Sequence, residues 1–137
     1  MIKNVYGINI AVADLDIASA KYEKILGVPG QFISADKFAF PGLTGTAFNV
    51  NGFHLNLIAS TQPDTSVAKF IEKKGEGVFL VSLEVEQLDE ALGQMQSHGL
   101  NPLLKESATG AFGEVNFIHP KEMHGVQLEI YKPVKDQ

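Results

Sequence analysis

Polar side chains with the chemistry of an active site recur at alternate positions in this sequence. His54 and Asn56 are two residues apart, and Gln127 and Glu129 follow them with the same spacing 73 residues later. Alternate residues of a β-strand share one face of its sheet, so each pair is expected to project from one face. A carboxylate placed among hydrogen-bonding groups can act as a general acid or base. We therefore take Glu129 as the candidate catalytic residue.

The same shift of 73 residues superimposes the segments that open the two halves of the chain. Residues 7–16 and 80–89 (GINIAVADLD and LVSLEVEQLD) carry apolar residues at matching positions, and both change from alternating to helical spacing. Such self-similarity indicates a duplicated structural unit. Alternation turns the apolar positions of both strands towards their helices. The opposite face then carries Gly7, Asn9, Ala11, Leu80, Ser82 and Glu84.

Each half of the chain has the pattern of a β-α-β-β-β module. The first helix is expected to begin after Asp14, a good N-cap residue, and to end at Gly27. The helix of the second module is expected to end at Gly99, and a short linker helix is expected over residues 66–74. The apolar stripe predicted for the first helix comprises Leu15, Ala18, Tyr22, Ile25 and Leu26.

The remaining strands are predicted from alternation and from turn residues. In the first module a strand runs from Gln31 towards Phe40, and residues 45–50 and 53–59 form a hairpin around the Asn-Gly pair at 51–52, which favours a tight turn. In the second module the corresponding strands are predicted at residues 102–106, 113–119 and 126–131.

These elements predict an α+β fold in which two tandem β-α-β-β-β modules form a curved mixed sheet around a central cleft. The whole chain, 1–137, is expected to be one domain, with module one at 1–60, a linker at 61–77 and module two at 78–137. The polar strand faces then line the cleft, and a concave pocket with convergent polar groups is the usual place for a small ligand. The residues expected to contact this small-molecule ligand are Asn9, His54, Asn56, Leu80, Ser82 and Gln127.

Composition narrows the classes of function. The 137 residues include 11 basic and 16 acidic side chains and no cysteine, for a formal net charge of −5. Because Lys and Arg form no cluster, a nucleic-acid partner is not expected. The lack of cysteine excludes thiolate chemistry and disulfides, and no apolar run is long enough for a membrane helix. We expect a cytoplasmic protein without nucleic-acid or membrane partners.

Four motifs, in order along the chain, resemble the vicinal oxygen chelate superfamily, which includes glyoxalase I, extradiol dioxygenases and bleomycin-resistance proteins. They are INIAVADLDIASAKYEKILG, SVAKFIEKKGEGV, LEVEQLDEAL and FIHPKEMHGVQLEIY. Within the superfamily these motifs are most similar to the methylmalonyl-CoA epimerase family. The likeness covers the chain except for about residues 30–44. It implies paired β-α-β-β-β modules, joined within one chain or across a homodimer.

The resemblance also implies one divalent metal in the cleft, bound by four side chains. The corresponding positions in this chain are Gly7, Asn56, Leu80 and Glu129. Gly7 and Leu80 supply no donor atom, and Asn56 supplies a weak amide oxygen, so that Glu129 is the one good ligand. No cofactor is therefore expected, while a divalent metal bound by His54, Glu129 and water stays an open alternative.

Three functions fit these residues. The favoured one is a metal-independent epimerase, isomerase or lyase acting on a small carbonyl or acyl-thioester substrate, with Glu129 as the acid or base. The linker and carboxyl-terminal motifs favour it because they resemble the epimerase family. That family has a second acid/base glutamate before its third strand, and the resemblance places Phe40 and Pro41 at that position.

The second function is non-catalytic binding or sequestration of a small molecule, as in bleomycin-resistance proteins. A hydrophobic ligand would need aromatic contacts, although alternation assigns Phe79 to the core rather than to the cleft. The third function is a divergent metalloenzyme that uses His54 and Glu129. The phenylalanines available for apolar contacts are Phe40, Phe48, Phe79, Phe112 and Phe117.

Overall fold

A computed structural model describes residues 1–134 of the chain, and these residues form one mixed sheet of eight strands with three helices. The last residues of the predicted module two, 135–137, lie outside the described part. The helices are α1 (Leu15–Leu26), α2 (Ser66–Lys74) and α3 (Leu88–Ser97). The strands are β1 (Asn4–Ala11), β2 (Gln31–Ile33), β3 (Leu43–Val50), β4 (Phe53–Ser60), β5 (Gly77–Glu84), β6 (Ala108–Gly110), β7 (Gly113–Ile118) and β8 (Leu128–Pro133).

The two central strands of the sheet, β1 and β5, open the two halves of the chain. They pair antiparallel, and the full order is β2-β3-β4-β1-β5-β8-β7-β6. β1 pairs in parallel with β4, and β5 pairs in parallel with β8, so the two halves contribute their strands in matching order. The prediction of an α+β fold with one curved mixed sheet built from two matching halves is confirmed.

Helix α1 covers the outer face of the first half. It begins where the Asp14 side chain accepts a hydrogen bond from the backbone N–H of Ile17 at 3.0 Å, and it ends at Gly27, whose φ of 70° is left-handed. The predicted stripe is wrong for Ile25, which is 80% exposed because it falls at the edge of the apolar face in a 3.6-residue period. The side chains that pack against the buried Phe48 and its neighbours are Leu15, Ala18, Tyr22 and Leu26.

The other two helices bury apolar faces against the same sheet. Helix α2 is capped by Thr65, whose hydroxyl accepts a hydrogen bond from the N–H of Ala68 at 3.0 Å, and it buries Val67 completely. Helix α3 packs on Ile118 and Ile130 of the second half through Leu88, Ala91, Leu92 and Met95. Within residues 1–134, no helix combines the length and the apolar character that a bilayer span requires.

Local hydrogen bonds set the ends of the strands in the first half. The turn between β3 and β4 has positive φ angles at Asn51 and Gly52, 53° and 93°, as expected for an Asn-Gly hairpin. The predicted strand from Gln31 towards Phe40 is wrong beyond β2. There the Ser34 carbonyl accepts a bond from the N–H of Lys37, and a short 3-10 turn replaces pairing with a neighbouring strand.

In the second half, the strand predicted at residues 102–106 is wrong. Pro102 forms an isolated bridge with Ile118. The side chain of Asn116 then accepts a hydrogen bond from the N–H of Leu104 at 3.0 Å and donates one to its carbonyl at 3.1 Å. This side chain provides the hydrogen bonds that a neighbouring strand would otherwise make with the Leu104 backbone. Strand β6 therefore begins further along the sequence than predicted, at Ala108. Strand β8 also begins two residues later than predicted, at Leu128.

We expect Asn116→Ala to lower the free energy of unfolding by about 2 kcal/mol. Asn116 is 1% exposed, and its removal leaves the N–H and C=O of Leu104 without their partner. Chemical denaturation measures the change, with the exposed Asn101→Ala as the matched control. An Asn116→Ala protein as stable as the unmodified chain would contradict this role.

Candidate functional site

The concave face of the sheet encloses a cavity of about 1090 Å³. This volume is slightly above the usual range for small-molecule sites, about 300–1000 Å³. Both halves of the chain line the cavity, since β1, β4, β5 and β8 all contribute side chains. Every residue placed at a ligand or metal position from the sequence lines it: Gly7, Asn9, His54, Asn56, Leu80, Ser82, Gln127 and Glu129.

A β-bulge in β1 brings Tyr6 into the lining of the cavity. Val5 and Gly7 pair with two adjacent residues of β5, so that Tyr6 between them is an extra residue. A bulge breaks the alternation of the strand and re-aims the side chains beside it. Tyr6 consequently lines the cavity together with its neighbour Gly7. Tyr6 is not among the residues predicted to line the cavity, because alternation does not place two adjacent residues on one face.

A second bulge has the same effect at Phe79 in β5. The adjacent residues Asn9 and Ile10 of β1 pair with Leu80 and Val78 of β5. Phe79 between them therefore has no partner residue in β1 and forms the bulge. Phe79 packs against the core, as alternation predicts, and it also lines the cavity, which alternation does not predict. Phe79 lies 73 residues after Tyr6, so the repeat seen in the sequence extends to the bulges. That repeat is the signal through which Tyr6 could have been found.

Aromatic rings surround His54 at the wall formed by β1 and β4. Tyr6 stacks on the His54 ring, with the centroids 3.9 Å apart and the planes within 1° of parallel. Tyr131 packs with its edge against Tyr6 at 4.9 Å, and its hydroxyl donates to the carbonyl of Phe112 at 2.9 Å. Burial lowers the pKa of His54 and raises the pKa of Tyr6. Both side chains are therefore uncharged at neutral pH.

Glu129 lies in the wall formed by β5 and β8. Its Oε1 accepts a hydrogen bond from the hydroxyl of Ser82 at 2.7 Å, between residues paired in register. The surrounding protein withdraws the carboxyl group from bulk water and raises its pKa, and the Ser82 hydrogen bond only partly opposes this effect. A carboxyl group that faces a cavity and has a raised pKa holds a proton more readily than an ordinary carboxyl group, which suits it to accept and return a substrate proton.

We expect Ser82→Ala to raise the pKa of Glu129 further, because it removes the hydrogen bond that stabilises the carboxylate. An NMR titration of the side-chain carboxyl in carbon-13-labelled protein measures this shift. The matched control is Ser97→Ala, at the end of α3 and outside the cavity lining. A Glu129 titration that Ser82→Ala leaves in place would show that Ser82 does not set its proton affinity.

Asn56 and Asn9 form a polar pair on the neighbouring strands β4 and β1. Nδ2 of Asn56 donates a hydrogen bond to Oδ1 of Asn9 at 3.3 Å, between residues that pair in register. This bond uses the acceptor of Asn9, so the amide N–H groups of Asn9 can point at a ligand. Oδ1 of Asn56 is buried and has no hydrogen-bond partner within residues 1–134.

The metal positions implied by the family resemblance do not fit a divalent ion in this chain. Gly7 and Leu80 carry no donor atom, which leaves the amide oxygen of Asn56 and the carboxylate of Glu129. Hard divalent cations take about six to eight oxygen ligands, and zinc takes four nitrogen, sulfur or oxygen ligands. Across residues 1–134, no group of three or more His, Cys, Asp or Glu side chains is arranged to hold a metal. Two donors of the four implied are too few for such a site.

The backbone around Gly7 leaves no space for a ligand side chain. A Cβ atom built at Gly7 would lie 1.8 Å from the carbonyl oxygen of His54, its partner in β4. Real carbon and oxygen atoms do not approach so closely, so any side chain at this position would displace β1 or β4. The close approach therefore accounts for glycine at this position.

Residues 34–42, which we call the cover segment, lie at one side of the cavity, and residues 37–41 line it. Its Lys37 carbonyl accepts a hydrogen bond from the N–H of Ala111 at 3.2 Å, beyond the end of β6. A Cβ atom built at Gly110 would lie 2.8 Å from the backbone nitrogen of Ala39, so the two halves are in close contact there. The cover segment adds Phe40 to the lining, at the position where the resemblance implies a glutamate.

Four of the five phenylalanines expected to offer apolar contacts line the cavity. The prediction is wrong for Phe48, which is fully buried and packs beneath α1 on the outer side of the sheet. The four that line the cavity come from the cover segment, β5, the β6–β7 turn and β7, and they are Phe40, Phe79, Phe112 and Phe117. The lining therefore combines an aromatic region with the polar group around Glu129.

Comparison with known proteins connects this fold and cavity to one superfamily. Residues 7–118 match the family model described as Glyoxalase/Bleomycin resistance protein/Dioxygenase superfamily. The chain is 31% identical to human mitochondrial methylmalonyl-CoA epimerase over 123 residues, which are 88% of this chain and 69% of that protein. It is also 29% identical over 131 residues to the uncharacterized protein YqjC of Bacillus subtilis (strain 168), covering 95% of this chain and 92% of that one.

A solved structure gives the same result. The crystal structure of methylmalonyl-CoA epimerase from Mycobacterium tuberculosis superimposes on this chain with a TM-score of 0.84 at 29% identity. The superposition covers 97% of this chain and 89% of that one. The chain therefore belongs to the glyoxalase/bleomycin resistance protein/dioxygenase superfamily, the vicinal oxygen chelate superfamily, and methylmalonyl-CoA epimerases are among its relatives.

Proposed function

We propose that the chain is an isomerase that moves a proton on the carbon next to a carbonyl group, as in the epimerisation of an acyl thioester, without a metal in the step. The observation that carries this proposal is the Glu129 carboxyl group, which faces the cavity, accepts the Ser82 hydrogen bond and has a raised pKa. The relatives named as methylmalonyl-CoA epimerases support the same class of reaction. In this proposal the chain acts as one cytoplasmic domain with a small-molecule substrate.

In the proposed step the Glu129 carboxylate takes the proton from the α-carbon of the substrate. The C–H bond breaks, its electron pair moves towards the carbonyl oxygen to form an enolate, and Glu129 becomes the neutral acid. The amide N–H groups of Asn9 and Gln127, which line the same cavity, donate hydrogen bonds to the enolate oxygen. Return of the proton from Glu129 restores the substrate. Protonation of the opposite face by water gives the epimer and a hydroxide ion, which takes the proton from Glu129 so that water and the carboxylate are both restored.

The other lining residues bind and orient the substrate in this proposal. Ser82 is a positioning residue, because its hydroxyl fixes the Glu129 carboxyl group. Asn56 positions Asn9 through the hydrogen bond between their side chains. His54 is uncharged and supplies a ring N–H, and Leu80 supplies an apolar contact beside Glu129.

Non-catalytic binding of a hydrophobic molecule is the second candidate function. The aromatic part of the lining favours it, since Phe40 and Phe117 lie with their ring centroids 6.0 Å apart at the cavity wall. Both candidate functions place a ligand in the same cavity. They differ in whether a C–H bond of the ligand is broken, so a chemical measurement separates them.

Exchange of the α-proton with solvent deuterium tests the proposal. The protein is incubated in D₂O with a panel of acyl-CoA thioesters, and mass spectrometry follows deuterium at the α-carbon against a protein-free control. Exchange faster than in buffer, lost in Glu129→Gln, supports the isomerase. Calorimetric binding of panel members without exchange would favour sequestration, and neither binding nor exchange across the panel would contradict both functions.

A further inference from the structure

Few charged groups line the cavity. The chain contains no arginine, and of its 11 lysines Lys37 is the one in the lining of the described residues. Lys37 is exposed to solvent on the cover segment. The acidic side chains of the lining are Asp64 and Glu129, so the cavity has no excess of positive charge.

The immediate surroundings of Glu129 are electrically neutral. Its hydrogen-bond partner is the hydroxyl of Ser82, and its pKa is set by burial and this bond, with no contribution from a lysine. Within the described chain, the ion pairs formed by Lys3 and Lys132 involve acidic residues that do not line the cavity. A ligand carboxylate placed beside Glu129 would therefore lack a positive partner.

Such a ligand carboxylate would bind poorly for two reasons. Withdrawing an ionised carboxylate from water is costly unless a cation or several hydrogen bonds replace the solvent. The ionised Glu129 that the proposed proton transfer requires would also repel it. The metal that could offset both effects does not fit the donors at Gly7, Asn56 and Leu80.

The apolar part of the lining instead favours an uncharged, hydrophobic ligand group. Phe40 of the cover segment and Phe117 of β7 face the cavity with ring centroids 6.0 Å apart, and Val115 and Leu104 lie beside them in the lining. Together with the bulged Phe79 they form a hydrophobic wall from both halves of the chain. A cavity of about 1090 Å³ with such a wall is much larger than the four-carbon methylmalonyl group.

We infer that the acyl group that carries the reacting carbon is uncharged, bulky and apolar, of the 2-arylpropanoyl class, and is held against the wall formed by Phe40, Phe79 and Phe117. This inference rests on the proposed proton transfer and specifies its substrate. It separates this chain from the relatives whose names give the charged methylmalonyl group as their substrate.

Two thioesters that differ only in their acyl group test the inference. Deuterium exchange at the α-carbon is measured for 2-phenylpropanoyl-CoA and for methylmalonyl-CoA, and each value of kcat/KM is divided by the exchange rate of that thioester in buffer. We expect the ratio to be at least about 100-fold larger for the phenylpropanoyl thioester, since an unpaired like charge costs several kcal/mol. A ratio that is equal or larger for methylmalonyl-CoA would overturn the inference and leave the proton-transfer function in place.

Binding measurements distinguish a failure of this inference from a failure of the proposed function. If neither thioester exchanges its proton, the proposed proton transfer fails for both acyl groups, and calorimetric dissociation constants of the same two thioesters then test the preference for an uncharged group. Tighter binding of phenylpropanoyl-CoA supports that preference, and equal or weaker binding overturns it.

The aromatic wall has a matched pair of variants. Phe40 and Phe53 are 36% and 40% exposed, and Phe40 lines the cavity whereas Phe53 does not. We expect Phe40→Ala to weaken binding of phenylpropanoyl-CoA about tenfold, through lost apolar burial, and Phe53→Ala to leave it unchanged. Equal effects of the two substitutions would show that the cover segment does not hold the acyl group.

Discussion

Glu129→Gln removes the proton transfer: we expect kcat/KM for α-deuterium exchange to fall by roughly 10²–10⁴-fold, the usual contribution of a positioned acid or base. Glutamine keeps the size of the side chain, and its amide oxygen can still accept the Ser82 hydrogen bond. It cannot take a proton from the substrate. Retention of more than a tenth of the exchange rate by Glu129→Gln would place the base elsewhere. Gln127→Ala, which removes an expected donor and no base, provides the comparison.

The same substitution tests the raised pKa through the stability of the fold. Glu129 has a higher pKa in the folded chain than its ordinary value of 4.5, so the folded state holds more protons between these two values. The free energy of unfolding therefore decreases as the pH rises through this window, and it stays lower above the window. Glu129→Gln has no such group, so we expect its thermal midpoint at neutral pH to equal or exceed that of the unmodified chain. A parallel pH dependence of both midpoints would contradict the raised pKa.

We expect Gly7→His to create no metal site and to destabilise the fold by about 3 kcal/mol or more, the upper range for overpacking. Position 7 is the first of the ligand positions implied by the superfamily, and histidine is a good ligand there in principle. In this chain a Cβ atom would lie 1.8 Å from the carbonyl oxygen of His54, so a side chain must separate β1 from β4. Chemical denaturation and metal analysis of the purified variant measure both effects.

Two alanine variants separate the steric cause from the histidine side chain. Gly7→Ala is expected to lose nearly as much stability as Gly7→His, because the clash begins at Cβ. Gly93→Ala lies in α3, where a Cβ atom meets nothing within 4 Å, and we expect it to stabilise the chain by about 0.5–1 kcal/mol. A stable Gly7→His protein that binds one equivalent of zinc would show that the strands can separate at little cost.

Most of the fold follows from local periodicity, because each strand and helix buries one face. Asp14, Gly27 and the Asn-Gly turn at 51–52 define ends that depend only on nearby residues. The predictions fail where a residue distant in the sequence determines the local backbone structure. Residues 102–106 alternate like a strand, yet the side chain of Asn116 satisfies the backbone of Leu104 and no neighbouring strand is needed.

The cavity-lining residues were less accessible to sequence reasoning than the fold. Alternation placed Glu129, Asn56 and Ser82 on one face, since each belongs to a regularly paired stretch of strand. Tyr6 and Phe79 reach the cavity through bulges, which depend on the register between β1 and β5 rather than on the sequence of either strand. The hydrogen bond between Ser82 and Glu129 likewise depends on which strands become neighbours.

The central pairing of the sheet also determines when the cavity forms during folding. Asn4 pairs with Glu84, whereas the parallel pairs within each half, such as Gly7 with His54, join residues closer in sequence. Contacts between distant residues form slowly, because the loop must first be closed. Each half can therefore assemble its own strands early, but the binding surface exists only once β1 and β5 meet. A ligand that binds this surface will therefore stabilise the completed sheet over either half alone.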